Sequence, residues 1–439
     1  MRRILFLTLA LSFCAGASAQ EREWTLAQCI DYALEHNIQI KQSSINVENK
    51  EISLNTSQSS RLPGLSASAG QNFSFGRGLT ADNTYANTNT TSTSFSVGAD
   101  VPVFRGFSIK HDIAMSRLDL EAATQDLAKA KEDISVAVAQ AYVQILYSME
   151  ILEVASNQVS IDEFQVERMK VMVENGKASV AELSAQKATL AQSMMSRTQA
   201  SNNLSLALLD MSQLLELDSP EGFAVVRPSE SSMRISPLMS PEAIYDEAVE
   251  VKPAIKAETI RLDYALKGID QAKSGLLPSL SVSGGVGSNY YTSSGFASKP
   301  FSDQISSNFS QYLGLNMSVP IFSRFSTRNR IRTAKNSYMS QQLQLDNAKK
   351  NLYKEIQTAY YNAVASEEKY RSSESAAMSA RDAFDLMQAK YENGKASVTE
   401  YNESKARYFS AESDLVQARY QHLYQSRLLD FYRGAKLTF

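Results

Sequence analysis

Cysteine is nearly absent. Of the two in the chain, Cys14 falls in an N-terminal apolar leader, so the mature chain keeps only Cys29 and has no intrachain disulfide. Histidine is equally sparse: His36, His111 and His422 are scattered without metal-ligand spacing and read as surface or packing residues. A nucleophile motif, a metal cluster and a phosphate-binding glycine loop are all missing, which leaves no case for an enzyme or a cofactor. Charge of one sign is lacking too. The formal net charge is −3, falling to −5 once Arg2 and Arg3 leave with the leader, so nothing points to nucleic acid. After the leader, no stretch reads as the roughly 18 consecutive apolar residues of a membrane-spanning helix. That excludes helical spans and says nothing of strands.

Arg2 and Arg3 precede an apolar run from Ile4 to Phe13, and Ala17-Ser18-Ala19 offers small residues for cleavage. Residues 1–19 therefore read as a secretory signal peptide. Cys14 is the alternative, lipid-bearing processing site, but the bulky Phe13 before it argues against that route.

What the chain does have is a motif written twice: Glu174-Asn175-Gly176-Lys177-Ala178-Ser179 and Glu392-Asn393-Gly394-Lys395-Ala396-Ser397. Asn-Gly breaks a helix, because glycine takes positive φ without a Cβ penalty. Ser179 with Glu182, and Ser397 with Glu400, then form capping boxes that open a new helix. Each copy reads as the tip of a helical hairpin. Between Gly106 and Glu174 runs a helix without proline, on the order of 100 Å long at 1.5 Å per residue. Two interlaced heptad tracks mark it, one from Ile113 through Leu120, Leu127 and Ile134 to Ala141, the other from Val138 to Val173, so it packs on more than one side. After the tip, a second helix follows Leu183, Leu190 and Leu204 to about Leu217.

Before the long helix, Thr25 with Gln28 opens a helix expected to continue to Ser60 and to end at Leu62-Pro63-Gly64-Leu65. The period then changes to two, predicting strands at about 64–75 and 92–104 around a polar loop from Gly76 to about Thr91. A Pro/Ser-rich linker, 218–239, separates this first repeat (20–217) from a second (240–439). There Ser240-Pro241-Glu242 caps a helix, Leu277-Pro278 answers Leu62-Pro63, and strands are expected at about 279–291 and 309–322. The duplication covers nearly all the mature chain. Strands of roughly ten residues match a tilted membrane strand. Four strands cannot close a barrel with room inside, so if they span a membrane several chains share one barrel. A small soluble sheet is the plainer alternative.

The doubled order helix–strand–strand–long helix–tip–helix, with Tyr391-Glu392-Asn393-Gly394 and the Ser-x-x-Glu caps, resembles the TolC-type outer membrane efflux proteins. The resemblance implies a mixed α/β membrane protein: a homotrimer whose 12-stranded β-barrel in the outer membrane lipid continues as a 12-helix periplasmic α-barrel. It implies a passive exit duct working with a periplasmic adaptor protein and an inner-membrane transporter. It also implies roles at the tips. Glu182 and Tyr391 stand where the family constricts its entrance, and Glu400 and Glu403 where it places an acidic ring, with crowding expected to raise some carboxylate pKa values. The family's tip arginine is replaced by Ala396. Each residue also has a simpler role: Glu182 and Glu400 as caps, Glu403 as an exposed helix acid, Tyr391 as packing, Gly176 and Gly394 as turns.

Two other architectures compete. An adaptor would show one hairpin flanked by soluble β domains, and a secreted or periplasmic coiled-coil scaffold would leave the matched strand pairs without a task. On this reading the mature protein begins at Gln20. Intact-mass measurement of the purified protein checks it, and a lipid on Cys14 is the contrary result.

Overall fold

The computed structural model describes residues 22–79, 83–228, 238–294 and 297–438, so the leader lies outside the described residues. The elements follow in order: β1 (Arg22–Trp24), α1 (Leu26–His36), α2 (Ile38–Ser59), β2 (Gly64–Leu79), β3 (Tyr85–Arg105), α3 (Ser108–Glu174), α4 (Val180–Leu214) and β4 (Phe223–Val225). Then come α5 (Pro241–Val251), α6 (Pro253–Ser274), β5 (Ser279–Ser293), α7 (Phe301–Ser307), β6 (Ser310–Ser318), α8 (Ser326–Glu392) and α9 (Val398–Tyr432). The halves match in length as well as order: α3 and α8 have 67 residues each, and α4 and α9 have 35. The chain divides into two compact units, one of residues up to 44, 126–256 and 348–439, the other of 45–125 and 257–347.

In the first unit, α1 buries Leu26, Cys29 and Ala33 in a core with Val138, Ile145 and Leu146 of α3, Met211 of α4 and Tyr420 of α9. α3 contains an 18-residue stretch apolar enough by composition to cross a membrane, but 44% of it is buried inside the chain. This apolar run escapes a reading for consecutive residues because it is a core face. The single helix expected from Thr25 to Ser60 is broken at Asn37. Its backbone is extended and its N–H closes α1 on Ala33 O. Its side chain accepts from Gln39 N at 2.9 Å and donates to Leu214 O at 3.0 Å. The second repeat breaks at Lys252, ahead of Pro253. That buried ammonium donates to Phe431 O and Glu132 and lies 3.9 Å from the Phe431 ring centroid. Burial lowers its pKa, an effect Glu132 opposes.

The linker is also more structured than its composition implies. Phe223–Val225 forms β4, which pairs in parallel with β1, and Tyr142 Oη bridges Val226 O at 2.6 Å and Trp24 O at 3.2 Å. Residues 229–237 of the linker lie outside the described residues.

The second unit holds an antiparallel sheet in the order β2-β3-β5-β6. The expected loop at Gly76–Thr91 is largely strand, since pairing runs from Gly64↔Asp100 to Leu79↔Tyr85. Alternating Thr and Asn are poor core formers, but β-branched Thr suits a pleated, half-exposed hairpin. Conversely, β6 stops at Ser318, and Val319-Pro320-Ile321-Phe322 lies outside it, because proline supplies no N–H to the ladder. Near the other junction proline, the β3–β5 register shifts between Pro102 and Phe104. Each repeat then turns from strand to long helix through two consecutive left-handed residues: Gly106 and Phe107 (φ +57° and +67°), and Arg324 and Phe325 (φ +52° and +61°).

At Gly106 a Cβ would lie 2.5 Å from Ser274 O, so only glycine fits. Gly106→Ala is expected to destabilise the protein by about 1–3 kcal/mol. Arg324→Gly, which relieves the same backbone conformation in the other repeat, is expected to raise stability by about 1 kcal/mol. Thermal midpoints in detergent check both signs.

Candidate functional site

Both tips belong to the first unit, and their turns are built alike. Gly176 (φ +69°) and Gly394 (φ +70°) end α3 and α8 in the left-handed conformation. Gly176 N donates to Val173 O and Lys177 N to Met172 O; Gly394 N and Lys395 N repeat the pattern on Tyr391 O and Lys390 O. This is the Schellman closure that satisfies the last helical carbonyls. Three residues on, Ser179 N donates to Glu182 Oε2 at 2.7 Å while Glu182 N donates to Ser179 Oγ at 3.2 Å. Ser397 and Glu400 do the same at 2.8 and 3.2 Å. In both carboxylates the serine backbone N–H, followed by the serine hydroxyl, holds the pKa below the usual range. Within one chain, capping therefore moves Glu400 in the direction opposite to that expected from crowding. Glu403, one turn on, is exposed and paired with Arg407 at 2.6 Å.

Tyr391 is half-buried. Its ring stacks on Tyr401 with centroids 4.8 Å apart, and Arg168 Cζ lies 5.1 Å from its centroid. Burial raises the phenol's pKa, Arg168 pulls it down and Glu182 pushes it up. Glu182, which contributes to that upward push, has its Oε2 engaged in its own cap. Ala396 occupies the position at which the resemblance implies an arginine, and Arg168 of the first repeat lies against the same tyrosine. Arg168 Nη2 also donates to Glu392 O at 3.3 Å, tying α3 to the end of α8.

About 10–25 Å up from the turns, by helical rise, lies a buried polar layer that heptad reading missed. Asp162 of α3 accepts from Lys405 of α9 and from Ser193 of α4; the carboxylate is fully buried and the ammonium nearly so. Gln165 Nε2 donates to Tyr401 Oη at 3.2 Å, and burial raises that phenol's pKa to about 12. Gln165 Oε1, Gln186 Nε2 and Asn402 Oδ1 are buried without a hydrogen-bond partner. A signal for this layer was present. Continuing the track of Ile134 and Ala141 in steps of seven reaches Ser148, Ala155, Asp162 and Met169, all buried. On α4 the buried track is Gln186, Ser193, Ala200 and Ala207, while the leucines used to trace that helix are only partly covered. Small side chains line this track, and the polar groups among them find their partners chiefly in one another, as Asp162 does in Lys405 and Ser193.

Removing one partner of such a pair strands a buried charge, whereas replacing both with apolar groups does not. Lys405→Met is expected to cost about 3–5 kcal/mol. Asp162→Leu combined with Lys405→Met should recover most of that loss. Thermal unfolding followed by helical circular dichroism compares the two.

The chain matches the family model described as outer membrane efflux protein over residues 29–216 and again over 244–435. It is 25% identical over 309 residues to the outer membrane protein TolC of Vibrio cholerae, covering 69% of this chain and 67% of that protein. The outer membrane protein TolC of Escherichia coli is 22% identical over 431 residues, covering 96% and 84%. The crystal structure of CusC superposes with a TM-score of 0.79 at 16% identity, covering 94% of this chain and 92% of that one, a likeness of fold.

Proposed function

This chain belongs to the outer membrane efflux protein family, and we propose that it is the exit duct of a multipart efflux or secretion system. It resides in the outer membrane. It passes substrates passively from a periplasmic adaptor and an inner-membrane pump to the exterior, as a conduit and not an enzyme. The observation that carries this reading is the sheet. One face presents Leu65, Leu313 and Leu315 to the surroundings at 77%, 83% and 74% exposure. The opposite face carries Ser66, Ser68, Ser94, Ser96 and Ser283. An apolar face suits lipid and a polar face suits a water-filled lumen. Within one chain β2 and β6 each have a neighbour on one side only, and such edges cannot sit in lipid. Copies of the chain complete one another's edges. In a homotrimer the strands number twelve and the barrel closes, and the helical hairpins form the periplasmic tunnel.

At the periplasmic mouth, Glu182 and Tyr391 form the constriction, with Arg168 taking the part of the missing tip arginine. Glu400 and Glu403 share one helix face and form the acidic ring. Arg407 offsets one of the two carboxylates, so Glu400 and Glu403 together still leave each chain's share of the ring net negative, and the ring attracts cations.

Native mass spectrometry in detergent should find a trimer, and planar bilayers containing it should conduct with cation preference. A stable, non-conducting monomer would instead support a periplasmic scaffold. Glu403→Ala should weaken the cation preference and the block by multivalent cations, and Arg407→Ala should strengthen both. If neither shifts the reversal potential of an assembled trimer, Glu403 is only a solvated helix acid.

A further inference from the structure

The apolar face of the sheet is not uniform. The register aligns Ala67 with Val97 and Val97 with Val286, and the next outward pairs are Ala69 with Phe95 and Phe95 with Ser288. Side chains alternate along each strand, so these residues share one face. Small residues at Ala67 and Ala69 beside the larger Phe95 leave a depression, closed on another side by Phe309. The resulting groove has a volume of about 490 Å³, within the range of roughly 300–1,000 Å³ typical of ligand sites.

The chain itself fixes the groove's shape. β6 stops pairing with β5 at Ser310↔Gly287, which leaves the outer part of β5 without a strand on that side. Side chains from the α7 segment take the strand's place. Gln304 accepts from Tyr291 N at 2.9 Å and donates to Tyr291 O at 3.0 Å, and Asn308 Nδ2 donates to Asn289 O at 2.7 Å. Phe301 stands edge-on to Phe95 and Tyr290, with centroids 6.4 and 5.2 Å away. The loop is thereby pinned onto the apolar face, and the Phe95 wall is braced from behind.

Ser68 and Ser96 turn their hydroxyls to the opposite face, where they hydrogen-bond each other at 2.7 Å, and the hydroxyl on the groove's own face is engaged, Ser288 Oγ donating to Ile305 O at 2.6 Å. The floor and walls are hydrocarbon, so the groove rewards an occupant by apolar contact alone. We infer that it is a binding site for one acyl chain of a membrane lipid, held against the barrel more durably than the surrounding bilayer. This rests on the membrane reading above, which turns this face toward lipid and makes hydrocarbon chains its neighbours.

Full-length Phe309→Trp and Leu313→Trp proteins test it. Leu313 is on the same face and 83% exposed, with no part in the groove lining. Each protein is reconstituted in phosphatidylcholine vesicles containing rising fractions of phosphatidylcholine with brominated chains. Quenching is read above the Trp24 background, on samples with unaltered helical circular dichroism. A single bound chain should quench the Phe309→Trp signal in simple proportion to the brominated fraction, whereas Leu313→Trp, touched by several lipids, should follow a steeper curve. Adding Ala69→Leu, which fills the groove, should remove most quenching at the first position and leave the second unchanged. Matching curves at the two positions, or no effect of Ala69→Leu, would mean ordinary boundary lipid and overturn the site. Quenching at neither position would overturn the membrane reading as well.

Discussion

Every backbone N–H and C=O must find a partner, and most features of this chain follow from how that requirement is met. Within the sheet, β3 and β5 are paired on both sides, while the outer edges of β2 and β6 are left for something else. In water such edges are tolerable. In lipid they are not, and on the proposed reading an open sheet becomes a reason for copies of the chain to assemble. The same requirement explains why Gln304 and Asn308 lie against β5 where β6 has ended. It explains the tips too, where Schellman turns close one helix and capping boxes open the next.

Duplication supplies the frame and divergence supplies the chemistry. Lengths, caps and turn glycines correspond between the halves, but the polar layer near the tips does not. Positions corresponding to Asp162, Gln165, Arg168 and Ser193 hold Ala380, Ala383, Leu386 and Ala411. Acid, amide and guanidinium therefore come from the first repeat, and Lys405, Tyr401 and Tyr391 answer from the second. A hairpin pair built this way is held together by unlike surfaces, which specify one pairing where two copies of the same surface could pair in either sense.

Much of this was legible in the sequence because it depends on local rules. Alternation marked the strands, sevenfold spacing marked the long helices, and Asn-Gly followed by Ser-x-x-Glu marked the tips. These patterns report what a segment of a few residues does with its own backbone and which of its faces is apolar. They were less able to end a strand: the Asn/Thr-rich stretch at 85–91 looked like a loop, because its strand character comes from a partner across the hairpin.

Sequence alone determined the duplicated plan, the turn positions, the caps and the class of protein. Tertiary structure decided which polar residues meet. Asp162 and Lys405 are 243 positions apart, and nothing in either neighbourhood announces the other. It also placed Arg168 over Tyr391, broke the first helix at Asn37, and raised a short helix against the apolar face beside Phe95 and Tyr290. The physical reason is the same in each case. A cap or a period is satisfied within one turn or one strand, but a buried charge or an unpaired edge is satisfied only by whatever distant segment the fold brings to it.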